Sequence, residues 1–307
     1  MKIFVTGGTG FVGTTLAGEL TEKGHKVTLL TRSIKKDATL PEGASFLQGD
    51  PREKGAWQKQ VPLHEVIINL AGASIFTRWT KETKKLIRES RVLTTQNLVE
   101  SLAASERKTA LFLSTSAVGY YGFRGDEALD EESPPGKDFL ASICQEWEAE
   151  ALGAQDLGLR VVICRFGIVM GRKGGALGQL LPLFQKGLGS PLGHGSQWIS
   201  WIHEQDLVRI YGFVLDRKDI SGPLNCTAPH PVRNKEMTKF LGQVLHRPTF
   251  LPPVPGFVLK LKMGEFATTL LNGQKVIPKR LLDMGFEFTS PDLSGALKDL
   301  LSGARQP

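Results

Sequence analysis

Eight residues near the start of the chain, Thr6-Gly7-Gly8-Thr9-Gly10-Phe11-Val12-Gly13, constrain the fold more than any other stretch. They follow a strand-like apolar run, Lys2 to Thr6, and open a helical pattern from Phe11 to Gly24. Gly7, Gly10 and Gly13 recur every three residues, which permits a tight turn, lets backbone approach a pyrophosphate, and lets the helix pack on the strand. The first helical turn then offers unpaired N–H groups and a positive dipole end to phosphates, with Phe11, Val12 and Gly13 as its cofactor contacts. A glycine turn between strand and helix is a dinucleotide-binding fingerprint.

The rest of the first half repeats the strand–helix alternation. Strands are expected at Lys26 to Thr31, Ser45 to Gln48, Val66 to Leu70, Ala110 to Ser114 and Arg160 to Phe166. Helices are expected from about Lys81 to Ser105 and from about Phe139 to Leu157. This pattern predicts an α/β, doubly wound parallel sheet of the Rossmann type. After Gly167 glycine and proline become frequent and the elements shorten, which predicts a smaller C-terminal α/β substrate lobe. The expected division is 1–170 for the NADP-binding domain, its sheet completed by about 196–215, and 171–307 for the substrate lobe. Within that lobe the run Pro248 to Pro255 reads as a stiff extended connector.

The second strand ends Leu29-Leu30-Thr31-Arg32-Ser33, with Lys35 and Lys36 close behind. An NAD site usually carries Asp or Glu here for the ribose 2′-OH. A guanidinium suits a 2′-phosphate, so Arg32 and Ser33 favour NADP(H) over NAD(H). Asp50, after the third strand, either accepts from an adenine amino group or caps a helix. Asn69-Leu70-Ala71-Gly72 ends the fourth strand; Leu70, Ala71 and Gly72 let a cofactor lie against the backbone.

Composition bounds the partners. The 307 residues are 41% hydrophobic and 22% charged, which excludes wholesale disorder and needs no disulfide staple. A net charge of +7 suits an anionic small molecule, and no basic cluster of nucleic-acid type is present. Three scattered cysteines, Cys144, Cys164 and Cys226, imply a reducing compartment and no metal spacing. No stretch approaches the ~20 apolar residues of a membrane span, and the start leaves no room for a signal peptide. The expectation is a cytoplasmic protein with a small-molecule substrate and no nucleic acid or membrane partner; composition does not set the oligomeric state.

These residues carry a resemblance. With Ser114-Thr115-Ser116-Ala117-Val118-Gly119-Tyr120-Tyr121-Gly122 and Trp198-Ile199-Ser200-Trp201-Ile202-His203, the chain resembles extended short-chain dehydrogenase/reductases of the sugar-nucleotide epimerase/dehydratase type. More closely it resembles the branch called epimerase family proteins, whose C-terminal module is similar to Asn272-Gly273-Gln274-Lys275-Val276-Ile277-Pro278. The resemblance implies that Ser116 hydrogen-bonds a substrate oxygen and that Ser114 and Phe166-Gly167 lie along the cofactor. It also puts Arg91 on the helix facing the phosphates, either as a pyrophosphate contact or in a surface ion pair. It further implies a C-terminal module at about 250–307 and a homodimer as the oligomer.

One departure is plain. The superfamily's YxxxK pair is absent; Phe139 or Leu140 stands where Tyr belongs, and Ile143 or Cys144 where Lys belongs. Free tyrosine, with a pKa near ~10, needs such a lysine to act near neutral pH. Tyr121 is either a surrogate acid or a wall aromatic. The reading is therefore an NADP(H)-dependent oxidoreductase or epimerase on a small polar substrate such as a nucleotide sugar, or a catalytically degenerate NADP(H) sensor.

Overall fold

The computed structural model describes residues 1–34, 39–103, 109–172 and 174–302; Lys35 and Lys36 lie outside them. Seven strands form one parallel sheet: β1 Lys2–Thr6, β2 Lys26–Thr31, β3 Ala44–Gln48, β4 Val66–Asn69, β5 Leu111–Ala117, β6 Arg160–Phe166 and β7 Gly222–Cys226. Their spatial order is β7-β6-β5-β4-β1-β2-β3. From β1 the chain winds one way to β3 and then, beginning at β4, the other way to β7. The β1/β4 boundary is therefore the switch point outside which such sheets bind ligands.

Both faces are buried because each strand alternates apolar residues onto two helical layers. Ile3, Val5, Leu29, Ile68 and Leu113 pack with α1 (Phe11–Glu22) and α5 (Glu204–Asp216). Phe4, Ile67, Phe112, Val161 and Ile163 pack with Leu98 and Leu102 of α2 (Lys81–Ala103) and Ala151 of α3 (Phe139–Leu152). Asp138 caps α3, accepting from the backbone N–H groups of Leu140 and Ala141.

A second apolar core lies past the sheet. Met170, Leu177 and Phe184 of the α4 region (Gly175–Gln185) meet Trp201, Met237 and Leu241 of α6 (Asn234–Leu245), and Leu297 and Leu300 of the last helix. One expectation is corrected here. The sheet is not completed within 196–215: Trp201–His203 pairs with Ile168–Gly171 in a separate ladder, and β7 takes the sheet edge beside β6.

Candidate functional site

The glycine turn is built by close approach. Gly7 has φ +68, a left-handed conformation, and a Cβ there would sit 2.7 Å from the Leu70 carbonyl carbon and 2.8 Å from the Ala71 nitrogen. A side chain at Gly13 would overlap the Gly7 carbonyl oxygen. The turn thus clamps β1 to the end of β4, bringing Gly7, Gly10 and Gly13 against Leu70 and Ala71. Gly10 is the N-cap of α1, with no side-chain cap and no acidic residue in the first turn. That leaves the first amides of α1, at Phe11, Val12 and Gly13, as donors for an anion. The ring of Phe11 packs against Gly174 and Gly175, where the second lobe begins.

Arg91 of α2 adds a cation beside this turn. Its guanidinium lies 3.1 Å from where a Gly72 Cβ would be, so Gly72 is small to admit it. Nη1 donates to the Ile87 carbonyl at 3.0 Å, and the group lies 5.4 Å from the Trp147 ring centroid. Among the described residues no carboxylate pairs with it. Burial therefore pulls the Arg91 pKa down. The indole N–H of Trp147, buried beside it, likewise has no partner. Of the two expectations for Arg91, the surface ion pair is the one not found among the described residues.

The polar end of β4 is tied inward. Asn69 accepts from the Thr6 hydroxyl at 2.7 Å and donates to Thr95 at 2.8 Å and to Ser114 at 3.5 Å. Ser114 is fully buried. Arg32 and Ser33 are exposed at the end of β2, apart from this group. Asp50 is gripped by Arg52, whose guanidinium donates at 3.1 and 2.7 Å and whose backbone N–H donates at 3.0 Å. This side-chain bond holds the Asp50 carboxyl below its ordinary range. Asp50 thus caps the turn ahead of Arg52 rather than standing free. Phe166 is half-buried, edge-on to Tyr211, and the N–H of Gly167 donates to Cys226 at 3.1 Å.

Ser116 and Tyr121 join a different arrangement. Ser116 is 1% exposed, and its hydroxyl donates to Glu148 Oε1 at 2.6 Å. Arg165 of β6 grips the same carboxylate with two bonds, at 2.8 and 2.7 Å, and donates to the Tyr121 hydroxyl at 2.9 Å. Tyr121 in turn donates to Asn225 Oδ1 at 2.6 Å. The Arg165 guanidinium also stacks 3.5 Å from the Tyr120 centroid. Burial alone pulls the Arg165 pKa down, but the Glu148 bonds outweigh it and the net shift is upward. Burial pushes the Tyr121 phenol up to about 12.

Of the two expectations for Tyr121, this placement fits the wall aromatic better than the surrogate acid. The residue is wholly buried, both sides of its hydroxyl are occupied, and its proton is harder to lose than in water. Ser116 spends its single proton on Glu148, so it presents lone pairs, not a donor, to any neighbour. At the positions of the missing pair, Phe139 packs edge-on to Trp79 and Ile143 is buried or, one residue on, Leu140 is half-buried and Cys144 is buried, its thiol pushed up to about 12 by burial.

Glu148 and Asn225 were not singled out in the sequence. Glu148 lies on a helix whose exposed face is also acidic, and its partner is 17 residues away on a strand. Only Arg165, a charge inside the run Val161 to Phe166 whose other residues are apolar, signals that a buried acid must exist.

A parallel, doubly wound sheet with a glycine turn at its switch point and an unpaired cation beside it defines a dinucleotide-binding protein of the Rossmann class. The comparisons make this specific. The model of the NAD dependent epimerase/dehydratase family matches residues 3–226, and a domain of unknown function (DUF1731) matches 254–300. The chain belongs to the NAD-dependent epimerase/dehydratase family, in the branch of epimerase family proteins. It is 42% identical to the chloroplastic epimerase family protein SDR39U1 homolog of Arabidopsis thaliana, over 98% of this chain and 87% of that one. It is 38% identical to epimerase family protein YfhF of Bacillus subtilis, over 98% of each. Among solved structures, the human epimerase family protein SDR39U1 with NADPH superposes with TM-score 0.86 at 34% identity, covering 99% of this chain and 100% of that one. The UDP-glucose 4-epimerase of Thermus thermophilus, in complex with NAD, shares the fold at TM-score 0.78 and 20% identity, over 99% and 100%.

Proposed function

We propose that this protein binds NADP(H) at the carboxyl ends of β1 and β4 and works as a sensor of that cofactor, without Tyr/Lys acid–base chemistry. The observation that carries the reading is a contrast of polar groups. Beside the glycine turn Arg91 has no carboxylate partner among the described residues and the Trp147 N–H has no acceptor, while the hydroxyl protons of Ser116 and Tyr121 near β5 are both spent on the protein itself. A half-buried cation without a counter-charge is stabilised when a ligand supplies one, and a pyrophosphate fits. Arg91 and the first amides of α1 would hold the pyrophosphate, Leu70 to Gly72 would lie along the cofactor, and Arg32 with Ser33 would hold the 2′-phosphate. NADPH solved in the human relative supports the choice of cofactor.

Bound NADPH supplies a hydride. A second reading, an oxidoreductase or epimerase acting on a small polar substrate such as a nucleotide sugar, is favoured by one feature. Phe266 of the C-terminal module packs on Trp79, which packs on Phe139, so the module is held against the segments that follow β4 and β5. Single-turnover oxidation of bound NADPH against a panel of carbonyl compounds and UDP-glucose separates the two. The sensor reading expects NADPH to bind and no compound to accelerate its oxidation; rapid oxidation by any of them overturns it. Failure to bind NADPH overturns both.

A further inference from the structure

The C-terminal module carries one helix that hides nothing. Helix α7, Gly256–Met263, has no buried residue. Phe257 is 73% exposed and Leu261, one turn on, is 75% exposed; Val258 beside them is 39% exposed. At 3.6 residues per turn these three form one stripe, with Lys260 on one flank and Lys262 on the other. The opposite side holds Leu259 and Met263, both half-buried, and Met263 joins the Trp79 and Phe266 cluster.

The stripe cannot turn inward, because both ends of the helix are fixed. Before it, the Val254 N–H donates to the Pro191 carbonyl and the Gly193 N–H to the Val254 carbonyl, each at 2.9 Å. At its end, the Arg78 guanidinium donates to the Leu261 carbonyl at 2.9 Å and the Trp79 N–H to the Met263 carbonyl at 3.3 Å. An apolar patch held outward in this way marks a surface for another body.

Charge selects that body. The helix contains no acidic residue, and neither lysine has an ion pair among the described residues. The nearest acid along the chain, Glu265, is bound to Lys84 at 2.6 Å. A second copy of a chain with net charge +7 would set lysine against lysine across the stripe. A flat acidic bilayer matches both features: apolar side chains enter beneath the headgroups while flanking ammonium groups extend to the phosphates.

We propose that α7 docks the protein on the surface of an anionic membrane, with Phe257 and Leu261 inserted and Lys260 and Lys262 at headgroup level. The docking is peripheral, since no helix of the described residues is long and apolar enough to cross a membrane. It departs from the sequence expectation of no membrane contact, which rested on the absence of such a span. It is independent of the sensor reading.

Co-sedimentation of the full chain with vesicles tests it. The protein is expected to sediment with phosphatidylcholine vesicles holding about one third phosphatidylglycerol, weakly with phosphatidylcholine alone, and less as salt rises. Leu261→Asp and Phe257→Asp alter exposed side chains, so their thermal unfolding and NADPH affinity are expected to match the parent. Each is expected to lower vesicle binding about tenfold. Leu63→Asp, exposed at the other end of the sheet, is expected to change nothing. No sedimentation with the acidic vesicles overturns the proposal, as does equal binding by Leu261→Asp. A concentration-dependent dimer that Leu261→Asp dissolves, without vesicle binding, assigns the stripe to a second copy and also overturns it.

Discussion

The cofactor end and the neighbouring corner at β5 and β6 use the same materials to opposite ends. Each has an arginine drawn in from solvent, half-buried for Arg91 and buried for Arg165, with a hydroxyl close by and an aromatic partner. Arg91 has the Trp147 ring but no acid; Arg165 has two bonds to Glu148 and the faces of Tyr120 and Tyr121. Desolvation lowers the pKa of the first; in the second desolvation is also the largest cause, but the bonds to Glu148 and Tyr121 together outweigh it and the net shift is upward. A charge left open marks where a ligand is expected; one closed by the chain is held by the fold itself.

The contrast predicts graded and separable effects. Glu148→Ala leaves Arg165 buried and uncompensated, so denaturant unfolding should show a loss of about 3–5 kcal/mol. A loss below about 1 kcal/mol would mean that the corner is hydrated and open, and the comparison would fail. Gly13→Val forces a side chain into the Gly7 carbonyl, and NADPH affinity by fluorescence titration should drop at least about a hundredfold. Unchanged affinity would remove the turn from the cofactor site.

Arg91→Met is the sharpest discriminator, because stability and binding should part company. NADPH affinity should fall about ten- to a hundredfold, while the melting temperature of the cofactor-free protein holds or rises, since an uncompensated charge is gone. A clear fall in melting temperature would show that Arg91 is a structural ion like Arg165. Arg32→Ala should reduce the preference for NADPH over NADH about tenfold and leave NADH binding nearly unchanged. Parent protein that binds both equally would refute that role. The smallest effect belongs to Tyr121→Phe: about 1 kcal/mol of stability from two lost hydrogen bonds, and no change in NADPH affinity or oxidation. A changed oxidation rate would reopen Tyr121 as a participant.

The turn was legible because its constraints are local. Gly7 and Gly13 are dictated by backbone contacts within one βαβ unit, and the glycine spacing records them. The same holds for the alternation that builds β1 to β6. The Ser116–Glu148–Arg165–Tyr121–Asn225 chain was hidden because its members come from five separate segments, and nothing in the spacing of a helical glutamate reports which strand it faces. The last strand was misread for a physical reason as well. Gly222-Pro223-Leu224-Asn225-Cys226 has turn-prone residues, and as an edge strand it tolerates a proline that an interior strand would not. Trp198 to His203, richer in aromatic and β-branched residues, looked more strand-like and forms its own ladder instead.

That late arrival of β7 shapes how the chain is made. Strand β6 ends at Phe166, but its outer neighbour begins at Gly222, after α4, α5 and the ladder between them. During synthesis the backbone donors and acceptors along Val162 to Phe166 stay open until more than fifty further residues have left the ribosome. An unpaired, apolar edge in a half-made chain is an invitation to pair with a neighbour. Arg165 stands in that very segment, and a charge there makes the nascent edge a poor template for a second chain until Glu148 and β7 enclose it.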